Sequence, residues 1–558
     1  MVATTRIELT IFDTMRGRYP HTVAAFESMP NGERALQAVT NLQDQWVRLN
    51  SNRPVESPFS HVPTVHSLPS CRPENRFDIV IAGGGLGLIA GVALARRGLR
   101  VLVFDRDRVG AAHREWNISE RELKSLSQWG LFTHDEIEQT IAAHYSRGVI
   151  SFDARGTGVE ACPLQLEGVL DVALDAQSVL DKAREHFVEV GGTIKEGRSF
   201  KCLHMANSGR VASVFEIDGP NGTEYYSARL AIDTMGSVSP IALGLNDGLP
   251  FDGVCPTAGT VMEGLESDPA TGDVLVSVAP AQDGRQLIWE GFPGNGGDTT
   301  VYLFYYDRTG SRYASNQGLL DLFERYFTLL PTYRRLNSAH RHLRPVFGYI
   351  PARHGRTGQT AARGLICLGD SAAGQSPLTF CGFGSFVRHI GRVSLLLEYA
   401  LRKDLLEEWH LRLISPHQAN LRVAWVFSRF MQPWPGSDPA AVNRIMNVFC
   451  SALGKVGQRT TLRFLQDRYT FAEYISIMLT TARHYPHIFA ITARVLGPSG
   501  LAKWAVDIVL FAASDLVRTL QPRISRRLWR RLERNATRRM PALALRLISV
   551  RTLFSSLD

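Results

Sequence analysis

The sequence predicts an α/β fold with three parts, and three patterns support this prediction. A short apolar strand at 77–82 enters a glycine cluster, an Ala/Leu-rich helix and a second apolar strand at 101–104, which is the order of a βαβ unit. Aromatic, strand-like segments occupy 285–306, and helical patterns dominate after residue 400. We therefore expect a Rossmann-like domain that carries an inserted β-rich domain and precedes a helical C-terminal region.

Length and composition give approximate boundaries for these parts. At 558 residues the chain is longer than a single hydrophobic core usually supports. We expect an N-terminal helix and a Pro/Ser-rich linker at 1–75, the Rossmann-like domain with its interleaved sheet at 76–400, and the helical region at 401–558. The sequence contains no run of 18 uncharged apolar residues, so we expect no membrane-spanning helix. The seven cysteines are scattered, so we expect neither a disulfide framework nor a metal site.

The glycine cluster predicts a dinucleotide site. Glycines let the backbone approach a pyrophosphate at a helix N-terminus, and an acid 22 positions after the first glycine is placed to bind a ribose. Counting from Gly85 gives the relaxed G-x-G-x-x-A spacing, and a purely structural turn is the alternative interpretation. The residues assigned to the cofactor here are Gly83, Gly84, Gly85, Gly87, Asp105 and Arg106.

Two later motifs narrow the dinucleotide to FAD. An apolar strand ends at Asp233, followed by a turn with glycine, and another ends at Gly369-Asp370, followed by Gly382 and Gly384 at a helix start. The late Asp can bind a ribityl chain, for which a fold that binds only NAD has no use. No second strand–glycine–helix unit follows, so a built-in NAD(P) domain is not expected.

A single acid lies in the aromatic strands and is the candidate general acid. Glu290 stands between Trp289 and Phe292, where burial would favour its protonated form. On two-residue alternation Ile288 and Glu290 share a strand face, so a buried Ile288 places Glu290 inside as well. A hairpin whose glutamate faces water is the alternative.

Arginines are concentrated near the C-terminus and indicate an anionic partner. The net charge is +9, and residues 518–551 contain eleven arginines and one acid, Glu533. Apolar Leu528, Trp529 and Leu532 lie among these arginines, and 504–513 is apolar. This combination favours a membrane surface over a solvated charged helix, and both over nucleic acid.

Four segments together resemble the lycopene cyclases of the CruA/CruP type, with the CruP-like branch the nearest in pattern. They are His113-Arg-Glu-Trp-Asn-Ile-Ser119, Asp233-Thr-Met-Gly-Ser-Val-Ser-Pro240, Trp289-Glu-Gly-Phe-Pro293 and Gly369-Asp370. The resemblance implies reduced FAD with electrons from NAD(P)H, a lycopene-like carotenoid substrate and a photosynthetic membrane. It also implies that Glu290 corresponds to an essential glutamate of the plant-type cyclases, whose motif has a Glu-Glu pair.

Under this resemblance the predicted reaction is cyclisation of a ψ end group to a β ring, without net redox change. Glu290 would donate the proton, and Trp289, Phe292, Tyr305 and Tyr306 would contact the cationic substrate. Two other classes remain open: an FAD-dependent oxidoreductase or monooxygenase acting on an isoprenoid, and a non-catalytic protein that binds flavin and carotenoid. The sequence contains no indication of oligomeric state.

Overall fold

A computed structural model describes residues 10–51, 57–112, 115–210, 212–352, 354–355, 358–374, 378, 382–415, 419–520 and 526–555. The strands of this part of the chain are β1 (Phe59–Thr64), β2 (Arg76–Ala82), β3 (Val101–Phe104), β4 (Trp116–Ile118), β5 (Ile141–His144), β6 (Arg147–Ser151), β7 (Leu164–Leu166), β8 (Val172–Leu174), β9 (Thr193–Lys195), β10 (Ser199–Ser208), β11 (Ser213–Gly219), β12 (Gly222–Asp233), β13 (Gly253–Leu265), β14 (Thr271–Val276), β15 (Ile288–Pro293), β16 (Thr299–Phe304), β17 (Asp307–Arg308), β18 (Leu336–Ala352), β19 (Ala361–Ala362) and β20 (Leu365–Cys367).

The α-helices of the same residues are α1 (Ile11–Met15), α2 (Pro20–Ser28), α3 (Gly32–Leu49), α4 (Leu86–Ala95), α5 (Glu120–Leu123), α6 (Ser125–Gln128), α7 (His134–Glu138), α8 (Ala176–Glu189), α9 (Pro240–Leu245), α10 (Ser311–Ala314), α11 (Leu319–Tyr333), α12 (Gly382–Arg402), α13 (Glu408–Arg412), α14 (Leu421–Phe430), α15 (Ala441–Val456), α16 (Gln458–Leu465), α17 (Phe471–His484), α18 (Ile488–Leu520), α19 (Arg526–Arg539) and α20 (Pro541–Ser555).

The first sheet is the predicted Rossmann-like unit. Its strands run in the order β1-β10-β11-β12-β2-β3-β9, with β20 also paired to β12 and β19 to β20. Strands β9, β3, β2, β12 and β20 are parallel, so their carboxyl ends meet at one edge. Helices α4, α8 and α12 pack on one face of this sheet and bury a large apolar core. Helix α4 is buried nearly all round because it lies between the sheet and these helices.

The second sheet is the predicted inserted β-rich domain. Its order is β17-β13-β16-β15-β14-β6-β7, with the long strand β18 paired along β13. Helices α2, α3 and α11 cover one face, while C-terminal helices including α14 to α17 contribute to the core of the other. A three-stranded sheet, β4-β8-β5, completes the β structure of the described residues.

The N-terminal segment departs from the predicted helix and linker. Helix α3 matches the expected helix, but Phe59–Thr64, predicted as linker, forms strand β1 parallel to β10. Because β1 is an edge strand with one neighbour, it tolerates Pro63, which lacks an N–H group. The prolines that suggested a linker are therefore compatible with a strand at this place.

The C-terminal part is helical, as predicted, from α13 to α20. Helix α20 packs on α12, where Arg392 donates a hydrogen bond to the Ser549 hydroxyl at 2.8 Å. Among the helices that the structure describes, none is both long enough and apolar enough to span a bilayer.

Candidate functional site

A cavity of about 560 Å³ lies where the carboxyl edge of the first sheet meets the second sheet. The loops that follow β2, β3, β12 and β20 line one part of it, because parallel strands end at the same edge. The second sheet supplies the other part through Thr257, Glu290, Phe292, Tyr302, Phe304 and Ile350. One cavity therefore joins the predicted nucleotide residues to the predicted acid.

The glycines of the turn between β2 and α4 allow neighbouring backbone to come close. Gly83 has φ +105°, and a Cβ there would lie 2.7 Å from the backbone of Thr234. A Cβ on Gly87 would lie 2.5 Å from Thr234 Oγ1 and 2.9 Å from a methyl group of Ile81. The glycines thus allow helix α4 and the β12 turn to pack together, with Gly83, Gly84 and Gly85 lining the cavity and Gly87 behind it.

Asp105, at the end of β3, shapes the same turn. Its carboxylate accepts hydrogen bonds from the backbone N–H of Gly84 at 2.6 Å and of Asp107 at 3.0 Å. Asp105 and Arg106 both line the cavity. A carboxylate has about four acceptor sites in all, so Asp105 can still accept a hydrogen bond from a ligand hydroxyl.

Asp233 supports the turn after β12 and does not line the cavity. It is fully buried and accepts hydrogen bonds from the Ser239 hydroxyl at 2.6 Å and the Met235 N–H at 2.9 Å. Burial raises its pKa to about 6. The following residues, including Thr234 and Met235, line the cavity instead.

The late motif divides in the same way. Asp370 and Gly382 line the main cavity, while Gly369 lines a smaller neighbouring pocket. Gly384 lies in the first turn of α12, in close contact with the Glu122 carboxylate. Its lack of a side chain therefore makes room for Glu122 and not for a group in the main cavity.

Glu290 projects from the centre of β15 into the cavity. It lies opposite Tyr302 on β16, and Ile288 and Phe292 share its strand face. Surrounding protein desolvates the carboxyl group and raises its pKa to about 8, although part of its surface is open to the cavity. Within the described residues the Glu290 side chain makes no hydrogen bond or ion pair. With this raised pKa, the Glu290 carboxyl group is protonated and uncharged at neutral pH.

Of the four aromatic residues predicted to contact substrate, only Phe292 lines the cavity. Trp289 and Tyr305 lie on the opposite face, since neighbouring strand residues alternate. Trp289 stacks on Tyr333 of α11 with ring centroids 4.7 Å apart, and Tyr305 donates a hydrogen bond to the Asn316 carbonyl at 3.2 Å. Tyr306 is buried and donates a hydrogen bond to the Leu378 carbonyl.

Comparison with known proteins identifies the fold. No protein-family model matches the chain, and no curated protein matches it in sequence. A geranylgeranyl bacteriochlorophyll reductase-like protein from Thermoplasma acidophilum matches 75% of this chain and 99% of its own, with a TM-score of 0.54 and 14% identity. Halogenase PltM matches 85% of this chain and 96% of its own, with a TM-score of 0.52 and 15% identity.

A variant of the same halogenase, solved in complex with FAD, matches 87% of this chain and 96% of its own, with a TM-score of 0.51 and 13% identity. The chain has the fold of FAD-dependent flavoproteins. This confirms the predicted fold class, in which a Rossmann-like domain carries an inserted sheet and precedes a helical region.

Several cavity residues were not among the predicted site residues. Arg198 and Thr234 line the cavity, and Gln45 reaches it from α3. Tyr302 and Phe304 lie beside Glu290 and were not singled out, although the alternation of β16 could have identified them.

The segment 113–119, one of the four that carry the resemblance, also reaches the cavity. His113 and Arg114 lie outside the described residues, but Glu115, Trp116 and Asn117 line the cavity. The Trp116 ring stacks on Phe383 with centroids 4.2 Å apart. Glu115 forms an ion pair with Arg344 of β18 and so ties this segment to the second sheet.

A second cavity of about 210 Å³ adjoins the first and shares Glu115, Asn117 and Phe292 with it. It extends towards the hairpin between β15 and β16, where Asp298 and Thr300 line it. No group of three or more potential metal ligands occurs in the described part of the chain.

Proposed function

We propose that the protein binds FAD in the main cavity. The chemistry of the cavity supports this: a glycine turn leads into the N-terminus of α4, where pyrophosphate charge is stabilised. Asp105 and Asp370 both line this cavity, where they would contact the ribose and the ribityl chain of the cofactor. The flavoprotein fold and a related structure in complex with FAD support the same cofactor.

We further propose that the enzyme protonates a carbon–carbon double bond of a linear isoprenoid. The observation that carries this proposal is Glu290, a carboxyl group in the same cavity as the predicted cofactor residues, with a pKa raised to about 8. A neutral carboxyl group is a general acid at physiological pH. Its neighbours Phe292, Tyr302 and Phe304 are aromatic and suited to an apolar substrate.

Cyclisation of a lycopene-like ψ end group is the specific reaction we propose, supported by the resemblance to lycopene cyclases. Glu290 donates its proton to the terminal alkene, and the resulting tertiary cation is attacked by a second alkene of the same chain. This attack closes the ring and leaves a new tertiary cation, and transfer of a proton from the adjacent carbon to the Glu290 carboxylate or to water forms the ring double bond, so that the product is an isomer of the substrate. Bound reduced FAD would supply negative charge that stabilises the cation.

The cavity residues contribute to this step in two ways. Phe292, Tyr302 and Phe304 present aromatic rings, each of which can stabilise a cation by about 0.5–2 kcal/mol. The protein groups that desolvate Glu290 would also limit the access of water, which could capture the cation as an alcohol.

Reduction of an isoprenoid double bond is the second candidate. It is favoured by the likeness to the geranylgeranyl reductase-like protein, and it uses the same acid. In this case the proton from Glu290 would be accompanied by hydride transfer from reduced flavin, and the product would gain two hydrogen atoms.

Product analysis tests these alternatives. Purified protein with FAD, NAD(P)H or dithionite, and lycopene in liposomes is incubated with and without oxygen. An isomeric cyclic product formed without oxygen supports cyclisation, whereas a product two hydrogens heavier supports reduction. An oxygenated product indicates a monooxygenase, and bound flavin without any product indicates a binding protein.

Glu290→Gln should lower the rate of product formation by about 10²–10⁴-fold, whereas Glu266→Gln, at an exposed glutamate directly after β13, should not change it. Cyclisation by Glu290→Gln at the wild-type rate would refute the assignment of the acid.

We also propose, from the resemblance, that the protein works at a photosynthetic membrane. Fractionation of the cells that produce it should then recover it with pigment-bearing membranes.

A further inference from the structure

Helix α18 turns a face with polar contacts towards the protein and an apolar face outwards. The helix bends at Gly497, where φ is +66°, and its second half packs on α14 and α17. The packed face carries polar contacts: Asp507 accepts a hydrogen bond from the Trp425 indole at 3.2 Å, and the Trp504 indole donates one to the Tyr474 hydroxyl. Both acids of 501–520, Asp507 and Asp515, have partners on this inner side.

The outer face of α18 is apolar and uncovered. Its large side chains follow each other at helical spacing over four turns, and each is about half exposed: Val506, Val509, Leu510, Leu516, Val517 and Leu520. Ala505 and Ala513 continue the same exposed surface. Contiguous exposed apolar surface of this kind marks an interaction site in soluble proteins.

Helix α19, the next helix along the chain, adds positive charge and further exposed apolar residues. Leu528 and Leu532 are 50% and 44% exposed. Arg531, Arg538 and Arg539 are exposed as well. Glu533, the acid of this helix, accepts hydrogen bonds from the Trp529 indole and from Arg551. The exposed charge of α19 is therefore positive.

The apolar face of α18 and the positive charge of α19 together fit one of three possible binding partners. Nucleic acid would use the arginines but not a stripe of valine and leucine. A second copy of the chain would bring two arginine-rich helices towards each other, at a cost in electrostatic repulsion. An anionic bilayer offers an apolar interior for the stripe and negative headgroups for the arginines.

We propose that the outer face of α18, together with α19, docks on the surface of an anionic lipid bilayer. The stripe lies parallel to the surface, with its valine and leucine side chains at the headgroup–acyl boundary. This docking is independent of the reaction proposed at Glu290, so its failure would leave that reaction unaffected, although it would remove support for work at a membrane.

Vesicle flotation of the FAD-loaded protein tests the docking. Wild-type protein should float with vesicles of phosphatidylcholine and 30% phosphatidylglycerol, and it should bind pure phosphatidylcholine at least tenfold more weakly. Leu510→Glu with Val517→Glu should lower binding by about tenfold or more, because two charges replace exposed methyl groups that the bilayer would bury. Val188→Glu is the matched control, since Val188 of α8 is 58% exposed but lies outside the stripe.

Charge and environment are tested separately. Replacing Arg531, Arg538 and Arg539 with alanine should weaken binding about fivefold per residue and reduce its dependence on salt. An environment-sensitive fluorophore on Leu510→Cys should shift to the blue with anionic vesicles, whereas the same label on Val188→Cys should not. This labelling keeps the test valid if the glutamate variants lose stability.

Three results would overturn the proposal. They are equal flotation of the wild-type and stripe variants, an unshifted fluorophore at position 510, and a wild-type dimer in solution that the stripe variants convert to monomer. The flavin content of each variant, read from its visible absorbance, separates these outcomes from failure of the FAD assignment.

Discussion

Replacing Glu290 with glutamine should stabilise the protein while removing its acid chemistry. Burial raises the pKa of this carboxyl group from 4.5 to about 8. Between these values the folded protein holds a proton that the unfolded chain releases. Folding stability therefore falls as the pH rises through this window.

The size of the effect follows from the same numbers. Each pH unit within the window costs the wild-type protein about 1.4 kcal/mol, so the loss at pH 7 is about 3 kcal/mol. Glutamine has almost the same shape and no charge to lose. The variant should equal the wild type in stability near pH 4.5 and exceed it by about 3 kcal/mol at pH 7.

Denaturant titrations at several pH values measure this difference, with Glu266→Gln as the exposed control. Activity should change in the opposite direction: glutamine cannot donate the proton, so the rate should fall by about 10²–10⁴-fold. Wild-type activity should decline above pH 8, where Glu290 ionises. If the stability difference does not depend on pH, Glu290 is ionised in the folded protein and cannot be the acid.

Three further perturbations test the cofactor site and the core. Gly87→Ala should lower the flavin content of the purified protein, because the added Cβ would lie 2.5 Å from Thr234 Oγ1 and push α4 away from the β12 turn; full flavin occupancy would contradict this packing. Asp105→Ala should weaken FAD binding by about tenfold or more, since the loss leaves backbone N–H groups of the turn unpaired. Fluorescence titration of the apoprotein measures this loss, and unchanged affinity would assign the carboxylate no role in the site. Trp46→Ala should lower the free energy of unfolding by about 3–5 kcal/mol, because the ring is fully buried and stacked 4.3 Å from Tyr349. Thermal denaturation checks the last result, and an unchanged melting temperature would show that α3 is dispensable for the fold.

The sequence was sufficient where the residues of a site are neighbours in the chain. The glycine turn and Asp105 lie within one βαβ unit, so their spacing alone predicts their proximity. Alternation along β15 similarly places Glu290 on the face of buried Ile288, as the structure shows. The same alternation, applied to Trp289, would have placed it on the opposite face.

Other parts of the site depend on strand order, which local patterns do not contain. Thr234 meets Gly83 because β12 pairs with β2, although the two residues are separated by 151 positions. Arg198 reaches the cavity from the segment between β9 and β10, at the far side of the first sheet. Arg198 belongs to no motif, and Thr234 belongs to one whose contact with Gly83 follows only once the sheet is assembled.

The attachment of α3 to the second sheet has a consequence for how the protein is made. Trp46 donates its indole hydrogen bond to Gln317, a residue 271 positions later. At about 5–20 residues per second, the ribosome needs roughly 15–50 s to synthesise the intervening chain. During this interval α3 can pack only on α1 and α2, so the Trp46 ring lacks the later partners Gln317 and Tyr349, and the cavity is complete only after residue 383 has been synthesised.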